Sequence, residues 1–429
     1  MIPADLISRK RDGYTLIKDE LTWFINGYLS DKVTEAQMTA LLMAIFYTGM
    51  NEEETFALVD VMLNSGSTLD FSDSGAYVAD KHSTGGVGDK VSLILAPIMA
   101  AAGLNNPMIA GRGLGFTGGT IDKLETIPGF DTGPTLETFK HWVKKNGCAI
   151  MAQSDQICPA DKKIYTLRDQ TGTVPSVPLI CGSIMSKKIA EGISGLVLDI
   201  KVGNGTFMKT MEQARDLGRW MKKIGTAFNI ETDIVFTNMN QPLGRFAGLA
   251  CEVQESIKAL KGNGPKDLMD VTFELGAKLL IQAKLVHHKD EAIQLQKSLI
   301  DSRKALAAFE TMVDAQGGRL DELDSNAKPD HETVVHAPED GIIEWMDTES
   351  IGWTLVNLGC GRKNPGESLD NTAGIEFLKK VGEEAQKGDP VYRIFNSDPE
   401  RLNLVSSMLE GTFRTEESAQ GLVPILGIL

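Results

Sequence analysis

The sequence has little of what marks a secreted, metal-binding or nucleic-acid-binding protein. Its five cysteines are scattered and odd in number, without a C-x-x-C pair, which predicts no disulfide framework and no zinc site and suits a reducing compartment. Acidic residues outnumber basic ones by 58 to 43, so the formal net charge is −15, and this balance argues against nucleic acid or an anionic membrane as a partner. No apolar run approaches the roughly 18 residues of a membrane span, and the opening MIPADLISRKRDGY lacks the apolar stretch of a signal peptide. We therefore expect a cytoplasmic protein.

What the sequence does contain is enough apolar material for a large folded protein. With 429 residues, 42% of them hydrophobic and 24% charged, the chain has the composition of a globular protein of two or three domains. Residues 1–65 are typical of helices throughout. Thr34 opens a capping box, T-E-A-Q, before an apolar run, and Asn51 with Glu54 forms another. We predict a helical domain here, which the segment at about 160–190 joins.

Beyond this region the pattern changes to that of an α/β domain. Short apolar runs at 91–102, 195–203 and 233–239 read as buried strands and alternate with helical periods such as TLETFKHWVKKNG. This alternation implies βα units and a mostly parallel or mixed sheet. We place the α/β domain at 75–318, interrupted by the helical insertion. After a polar, linker-like stretch, residues 334–429 predict a C-terminal, β-rich α+β subdomain.

Two glycine-rich segments suggest an anion site. DKHSTGGVGDK, at 80–90, sets three glycines among hydroxyls and cations, and bare backbone N–H groups there could converge on an anion. The segment is not a P-loop, because Lys90 follows Asp89 and precedes Val91. AGRGLGFTGGTIDKLE, which follows Pro107, contains G-x-G-x-x-G, but the segment before it is a poor strand, so it gives only a weak indication of dinucleotide binding.

The two glycine-rich segments flank one apolar stretch of chain. Because ligands of parallel sheets gather at the carboxyl ends of the strands, we expect the two turns to approach each other. The alternative is a pair of tight, strained turns in a large α/β domain, with no ligand at all.

Four segments taken together resemble one enzyme family. DKHSTGGVGDK, GRGLGFTGGTIDKLE, PADKKIYTLRD and SIMSKKIAEG occur here as in the thymidine and pyrimidine-nucleoside phosphorylases, and the resemblance runs in order over essentially the whole chain. It implies a small helical domain, a large α/β domain and a C-terminal α/β portion, with homodimers formed through the helical domain. It also implies a reaction, the reversible phosphorolysis of pyrimidine nucleosides or 2′-deoxynucleosides such as thymidine and deoxyuridine. Inorganic phosphate would be the co-substrate, no organic cofactor is needed, and the product sugar would be an α-(deoxy)ribose 1-phosphate formed with inversion at C1′.

The resemblance assigns roles to individual residues. The expected phosphate site comprises Lys81, Ser83, Gly85, Gly86, Ser92 and Thr120. The expected pyrimidine site comprises His82, Arg168, Ser183 and Lys187. Arg168 and Lys187 would be catalytic, since they can donate to carbonyl oxygens that gain charge as the base departs. Ser183 would read the ring N3–H edge, and His82, the third expected catalytic residue, would donate a proton or a hydrogen bond to O2.

Helical spacing supports part of this assignment. Ser183 and Lys187 are four residues apart, so they share one face if the segment is a helix. We expect the neighbouring Lys188 to lie on a solvated face. The other five histidines lack such a context, and we expect them to be structural or exposed: His141, His287, His288, His331 and His336.

The chain departs from the family pattern near the expected sugar and phosphate sites. Where relatives read S-G-R-G-L-G-H it has Ala110 and Phe116, so a phosphate hydroxyl is missing and an apolar ring stands near the sugar. Relatives that accept ribonucleosides carry a lysine where this chain has Met108, whose thioether cannot satisfy a ribose 2′-OH. We therefore expect 2′-deoxyribonucleosides to be preferred. The competing interpretation is that Met108 is an ordinary core residue.

Some relatives hold a monovalent cation, and the matching positions can be traced in this chain. They are Gly88, Leu243, Phe246 and Glu255, so potassium is a possible cofactor. The residue that occupies the remaining cation position is Lys90, whose ammonium group could fill the same role.

Three other interpretations stay open. An anthranilate-type phosphoribosyltransferase would share the fold but needs acidic residues for Mg²⁺-pyrophosphate, and the site segments contain no Asp-Glu pair; a magnesium requirement would distinguish it. A non-enzymatic carrier would account for GEEAQKGDPVYRIF, which resembles biotinyl and lipoyl half-barrels, but Trp345-Met346-Asp347 offers an aspartate where carriers present a lysine. A catalytically weak relative is supported only by Ala110 and Phe116.

Overall fold

The computed structural model describes residues 1–113, 115–364 and 366–429, and these form two compact units. The helical unit consists of Met1–Gly75, Gln153–Leu196 and Asp216–Thr232. The α/β unit consists of Ala76–Ala152, Val197–Arg215 and Asp233–Leu429.

In chain order the helices are α1 (Pro3–Arg11), α2 (Lys18–Leu29), α3 (Glu35–Thr48), α4 (Glu52–Leu63), α5 (Val91–Ala101), α6 (Thr120–Leu124), α7 (Leu136–Asn146), α8 (Pro159–Thr171), α9 (Val177–Ala190), α10 (Met211–Ala227), α11 (Ala250–Lys258), α12 (Lys266–Gln282), α13 (Lys289–Asp301), α14 (Lys304–Ala315), α15 (Leu323–Asn326), α16 (Thr348–Leu358) and α17 (Pro399–Leu409). The strands are β1 (Ala79–Ser83), β2 (Asn106–Ala110), β3 (Cys148–Ala152), β4 (Gly195–Val202), β5 (Glu231–Asn238), β6 (Phe246–Gly248), β7 (His331–His336), β8 (Gly341–Met346), β9 (Gly374–Phe377), β10 (Glu384–Ala385), β11 (Pro390–Asn396), β12 (Phe413–Glu416) and β13 (Ile425–Ile428). None of the helices in the described ranges is long and apolar enough to cross a membrane.

The N-terminal part of the helical unit forms the helices that its sequence predicts. At the start of α3, the Thr34 hydroxyl accepts from the Gln37 N–H, and the Gln37 side chain accepts from the Thr34 N–H. Asn51 and Glu54 form the same reciprocal pair at the start of α4. Helices α1–α4 share one hydrophobic core with side chains of α8 and α9. The predicted helical N-terminal domain is therefore confirmed.

The α/β unit contains a mixed sheet, as predicted. Its four strands lie in the order β1-β4-β5-β13, with β13 antiparallel to β5. The parallel pair β2–β3 adjoins β1 through a bridge between Val78 and Asn105. The loop after β1 leads directly into α5, so both expected glycine turns follow strands.

Two predictions in this region are wrong. Residues 91–101, predicted as part of a strand, form α5; this helix is buried on nearly every side, so its sequence shows no amphipathic period. Pro107, a residue type that argues against a strand, lies inside β2. The N–H of Asn106 donates to the Gly147 carbonyl next to β3, so position 107 points away from that ladder and loses no bond to it.

The C-terminal residues build a second hydrophobic core within the α/β unit. Two small sheets, β10-β8-β12 and β6-β9-β11-β7, pack with α16 and α17. The polar stretch before β7 contains α15, whose Leu323 is buried in the main core together with Ala327, so this stretch is packed. The β-rich C-terminal region is therefore as predicted.

All five cysteines of the chain are free, buried thiols. Burial raises the pKa of Cys148, in the α/β unit, to about 12. Burial likewise raises the pKa of Cys158, at the start of α8, to about 12.

Candidate active site

The first glycine-rich loop is shaped by close backbone approaches. Gly85 has φ 86° and Gly88 has φ 75°, which L side chains rarely adopt. A Cβ at Gly86 would lie 2.7 Å from the Met239 Cε, and one at Gly88 would lie 2.5 Å from the Leu243 carbonyl oxygen. Glycine is required here both for the turn and for the contact.

The second loop is organised by a carboxylate. The Gly113 N–H donates to Asp122 Oδ2 at 2.6 Å, and Arg112 binds Glu125 through two hydrogen bonds of 2.5 and 2.7 Å. A Cβ at Gly119 would lie 2.1 Å from the Gly113 nitrogen, so the loop closes on itself only with glycine. Leu114 of this motif lies outside the described residues.

The structure brings the two loops together. A Cβ at Gly85 would lie 3.5 Å from the Thr117 Oγ1. Lys123, in α6 of the second loop, donates to the Asp89 carbonyl of the first at 2.7 Å and pairs with Glu252 at 2.7 Å. Two groups of expected phosphate ligands, those of β1 and those of α6, therefore lie in one region of the α/β unit.

Charge in this region is buried and balanced. The ammonium group of Lys81 lies 3.7 Å from the Asp89 carboxylate, and Lys201 pairs with Asp199 at 2.5 Å and with Asp89 at 3.5 Å. Burial lowers the pKa of Lys81, an effect that Asp89 and Asp199 only partly offset. Burial alone would raise the pKa of Asp89, but Lys201 and Lys81 outweigh it and hold that pKa well below its usual range.

Sequence reasoning missed this charge network. Asp199 and Lys201 stand two residues apart in the otherwise apolar β4, so they share one face of a buried strand. Opposite charges at that spacing inside an apolar run are a readable signal of a buried pair. They matter because they fix Asp89, which in turn receives a hydrogen bond from the Ser83 hydroxyl.

The other expected phosphate ligands lie on the first loop or in the first turn of a helix. Ser83 also accepts from the Gly85 N–H at 3.2 Å, so that amide is used within the loop. Ser92 is buried in the first turn of α5. Thr120 is half-buried at the start of α6.

The pyrimidine candidates of the helical unit lie on α8 and α9. The guanidinium group of Arg168 is buried and donates to the carbonyl groups of Leu179 at 2.9 Å, Val174 at 2.7 Å and Thr173 at 3.4 Å. Arginine has five N–H donors, so two have no partner among the described residues. Arg168 can therefore keep its place in the fold and still donate to a ligand.

Lys187 and Ser183 share one face of α9, as their spacing predicts. The Lys187 ammonium group donates to Ser183 Oγ at 2.8 Å and forms an ion pair with Asp161, a buried carboxylate of α8. Sequence reasoning did not single out Asp161, although it lies inside the PADKKIYTLRD motif. It is the group that fixes the direction of Lys187.

The expectation for Lys188 is wrong. Its side chain is fully buried and pairs with the equally buried Glu191 at 2.6 Å. Lys187 is the more exposed of the two neighbours. The error arose because nothing in the sequence pattern shows that the helix is covered on both sides.

The departures from the family pattern lie mainly in cores. Met108 is buried in the main hydrophobic core, which favours the interpretation that it is an ordinary core residue. Phe116 is buried in the C-terminal core, with its ring centroid 5.8 Å from that of Phe207 and 5.9 Å from that of Trp353. Ala110 ends β2 and is half-buried beside the second glycine loop.

The expected cation positions surround a lysine. The Lys90 ammonium group donates to the Phe246 carbonyl at 2.5 Å, to the Leu243 carbonyl at 3.1 Å and to the Glu255 carboxylate at 2.5 Å. The donor set that would hold a monovalent ion is therefore already in contact with a cation of the chain itself.

The histidines divide as expected by exposure. His82 is half-buried on β1 between Lys81 and Ser83. The other five are exposed. Outside the two undescribed positions, no three His, Cys, Asp or Glu side chains cluster as a metal site would.

Comparisons with known proteins agree with this architecture. Residues 4–66 match a family model described as glycosyl transferase family, helical bundle domain, and residues 75–306 match one described as glycosyl transferase family, a/b domain. Residues 342–416 match the pyrimidine nucleoside phosphorylase C-terminal domain. The fold also resembles the crystal structure of anthranilate phosphoribosyltransferase from Thermus thermophilus, with TM-score 0.57 and 16% identity, covering 73% of this chain and 99% of that one.

Curated relatives are similar over nearly the full length. A pyrimidine-nucleoside phosphorylase of Staphylococcus epidermidis is 44% identical over 92% of both chains, and one of Staphylococcus haemolyticus is 41% identical over 99% of this chain and 98% of its own. Another, of Geobacillus stearothermophilus, is 41% identical over 96% of this chain and 95% of its own.

The helical bundle, the α/β domain and the paired glycine loops define a glycosyl transferase of the family that these domain models describe. Within it, the C-terminal domain and the relatives at 41–44% identity go further. The chain belongs to the pyrimidine-nucleoside phosphorylase family.

Proposed function

We propose that this protein catalyses the reversible phosphorolysis of pyrimidine nucleosides, giving the free base and an α-pentose 1-phosphate. The observation that carries the proposal is the pair of glycine loops, joined by Lys123 and bearing Lys81, Ser83 and Thr120. The relatives named pyrimidine-nucleoside phosphorylase support the same reaction.

The α/β unit would bind the nucleophile. Hydroxyl, amide and ammonium groups can hold inorganic phosphate without removing its negative charge, so it stays able to attack the anomeric carbon. Lys81 would supply the positive charge, while the Asp89 carboxylate fixes its direction. The ammonium groups of Lys81 and Lys201 together balance the carboxylates of Asp89 and Asp199, and Lys81 is the one of the two that the family pattern assigns to the bound anion.

The helical unit would bind the leaving base. As the C1′–N1 bond breaks, the sugar becomes oxocarbenium-like and negative charge develops on the pyrimidine carbonyl oxygens. Arg168 has two N–H groups to donate to them, and Lys187 can leave or share its contact with Asp161 to do the same. Ser183 would contact the ring N3–H edge, and His82 of the α/β unit would donate to O2.

We propose a preference for 2′-deoxyribonucleosides, with thymidine or deoxyuridine as the better substrates. The support is the chemistry of two side chains at positions that the family pattern places near the sugar: neither the Met108 thioether nor the Phe116 ring can donate a hydrogen bond to a 2′-OH. Apolar surroundings reject an added hydroxyl only modestly, so the ratio of kcat/KM for deoxyuridine over uridine should be about 10² or less. Equal values for the two nucleosides would overturn this preference.

The protein is proposed to act as a cytoplasmic homodimer. The free, buried thiols of all five cysteines suit a reducing compartment. Sedimentation would establish the dimer.

The test of the reaction is a panel of thymidine, deoxyuridine, uridine and cytidine, each with and without phosphate, and with and without Mg²⁺. We expect base release that depends strictly on phosphate and is unchanged by magnesium chelation. Release of base without phosphate would overturn the phosphorylase reaction. A requirement for Mg²⁺ and a pyrophosphorylated sugar would point instead to the phosphoribosyltransferase chemistry of its structural relative.

A further inference from the structure

The clearest unexplained feature of the α/β unit is the complete coordination of Lys90. Its side chain is buried, and its ammonium group has three protons to donate. Three oxygen atoms receive them, the carbonyls of Leu243 and Phe246 and the carboxylate of Glu255, at 3.1, 2.5 and 2.5 Å. A second carboxylate, Glu252, lies 3.8 Å away. This is an oxygen cage around one cation, in which every donor is satisfied.

Such a cage suits a monovalent ion as well as an ammonium group. Backbone carbonyl oxygens replace the hydration shell of K⁺ in proteins, and carboxylates are ligands for hard cations. The Lys90 ammonium group already occupies the position that these oxygen atoms surround, at hydrogen-bond distance from all three. A potassium ion therefore does not fit these residues while Lys90 is present.

We propose that Lys90 is a covalently attached replacement for a bound monovalent cation, which makes this enzyme's structure and activity independent of potassium. The inference goes beyond the proposed reaction and concerns only how the phosphate loop is held.

The position of Lys90 explains why a cation is needed there. Lys90 directly precedes α5 and ends the loop that follows β1, the strand of Lys81 and Ser83. Its two carbonyl partners lie on the segment between β5 and α11, and its carboxylate partner, Glu255, lies on α11. That segment meets the loop again where the Leu243 N–H donates to the Val87 carbonyl at 3.0 Å. The Lys90 ammonium group thus joins the first glycine-rich loop to the segment that contains Leu243, Phe246 and Glu255.

The charge balance keeps Lys90 protonated. Burial alone would lower its pKa, but Glu255 and Glu252 outweigh burial and raise it. Lys123 faces the same cage through Glu252, at 2.7 Å. Two ammonium groups and two carboxylates therefore leave the cluster neutral without any added ion.

The first experiment uses the unmodified protein. Melting temperature and kcat/KM for phosphorolysis are measured in KCl, NaCl and tetramethylammonium chloride at equal ionic strength. We expect both quantities to be the same in all three salts. A melting temperature that rises specifically with K⁺, and saturates, would overturn the proposal whether or not the protein is a phosphorylase.

The second experiment opens the cage. Lys90→Ser removes the ammonium group and leaves the oxygen ligands, so we expect a lower melting temperature in tetramethylammonium chloride and a saturable rise of about 3–6 °C with 100 mM K⁺. Lys188→Ser is the matched control, because Lys188 is equally buried beside a carboxylate, Glu191. Its melting temperature should fall without any rescue that distinguishes K⁺ from tetramethylammonium.

The outcomes separate cleanly. If Lys90→Ser responds to K⁺ no more than Lys188→Ser does, the cage is not a cation site and the proposal fails. If Lys90→Ser folds only in K⁺, the proposal is supported. If it folds in none of the salts, the comparison of salts on the unmodified protein decides.

Discussion

Arg168 of the helical unit is held by a different kind of contact from the buried lysines of the α/β unit. Lys81 and Lys201 face the buried carboxylate of Asp89, and Lys187 of the helical unit pairs with Asp161 in the same way. The Arg168 guanidinium instead donates to backbone carbonyls, which carry no net charge. The difference suits their proposed tasks. A site that must hold phosphate throughout the reaction needs fixed, balanced charge, whereas a site that meets charge only as the base departs benefits from a cation that is not already neutralised.

The largest effect should come from removing that cation. Arg168→Ala should lower kcat/KM for thymidine by about 10³-fold or more, because a charged hydrogen bond that strengthens in the transition state is lost. It should also destabilise the fold, since the carbonyl groups of Thr173, Val174 and Leu179 lose their donor. Steady-state kinetics and urea unfolding of the same preparation measure the two effects.

The matched control is the buried lysine nearby. Lys188→Ala removes the ammonium group that pairs with the buried Glu191, so the free energy of unfolding should fall by about 3–5 kcal/mol, while kcat/KM of the folded protein stays nearly unchanged. Equal losses of kcat/KM in the two variants would show that packing, and not the charge of Arg168, accounts for the effect.

On the phosphate side the contrast predicts a pH dependence. Burial lowers the pKa of Lys81. As pH rises, its ammonium group should therefore lose its proton before the pH reaches the ordinary lysine value of 10.5, and the KM for phosphate should rise in that range. Lys81→Met should lack this alkaline limb and bind phosphate about 10- to 100-fold more weakly at neutral pH. A limb of unchanged position in Lys81→Met would assign it to another group.

Stability should change with pH in the opposite direction. A lysine with a lowered folded-state pKa binds fewer protons when folded than when unfolded, so its cost to stability is full below the folded pKa. The cost disappears as pH rises through the window up to the unfolded value. In that window the contribution of Lys81 to unfolding free energy should improve while phosphate binding weakens, a comparison that Lys81→Met isolates.

A smaller effect is expected at the missing hydroxyl. Ala110→Ser restores a donor at the end of β2 and should lower the KM for phosphate by about 10-fold, with the KM for nucleoside little changed. Ala152→Ser is the matched control, since Ala152 pairs with Ala110 in the β2–β3 register and is also half-buried. If both serines act alike, position 110 is not part of the phosphate site.

Secondary structure was predicted correctly where it depends on hydrogen bonds between residues close in sequence. The capping boxes at Thr34 and Asn51 are short-range exchanges of hydrogen bonds, and they form as their sequences indicate. The apolar run of α5 predicts a strand because complete burial of the helix removes the periodicity that distinguishes a helix from a strand. Pro107 is tolerated because its nitrogen, which lacks a proton, falls on the side of β2 that does not pair with β3.

The candidate site, like the fold, was predictable only where the information lies in a short stretch of sequence. Family motifs and spacing indicate that Ser183 and Lys187 share a face, but they do not show which carboxylate pairs with which lysine. Lys90 meets Glu255 across 165 positions of sequence, and no pattern within the glycine loop carries that information. Pairings of this kind depend on tertiary packing.

The buried cysteines make local opening of each unit measurable through the rate at which their thiols are labelled. A disulfide reagent reacts with the thiolate form of cysteine. Only a small fraction of Cys148 and Cys158 is thiolate, because burial raises the pKa of each to about 12. Labelling in native buffer should therefore proceed only as fast as the surrounding structure transiently exposes each sulfur. Cys158 and Cys181 belong to the helical unit and the other three cysteines to the α/β unit. Mass spectrometry of partly labelled protein would therefore measure the rate of local opening in each unit separately, without any introduced probe.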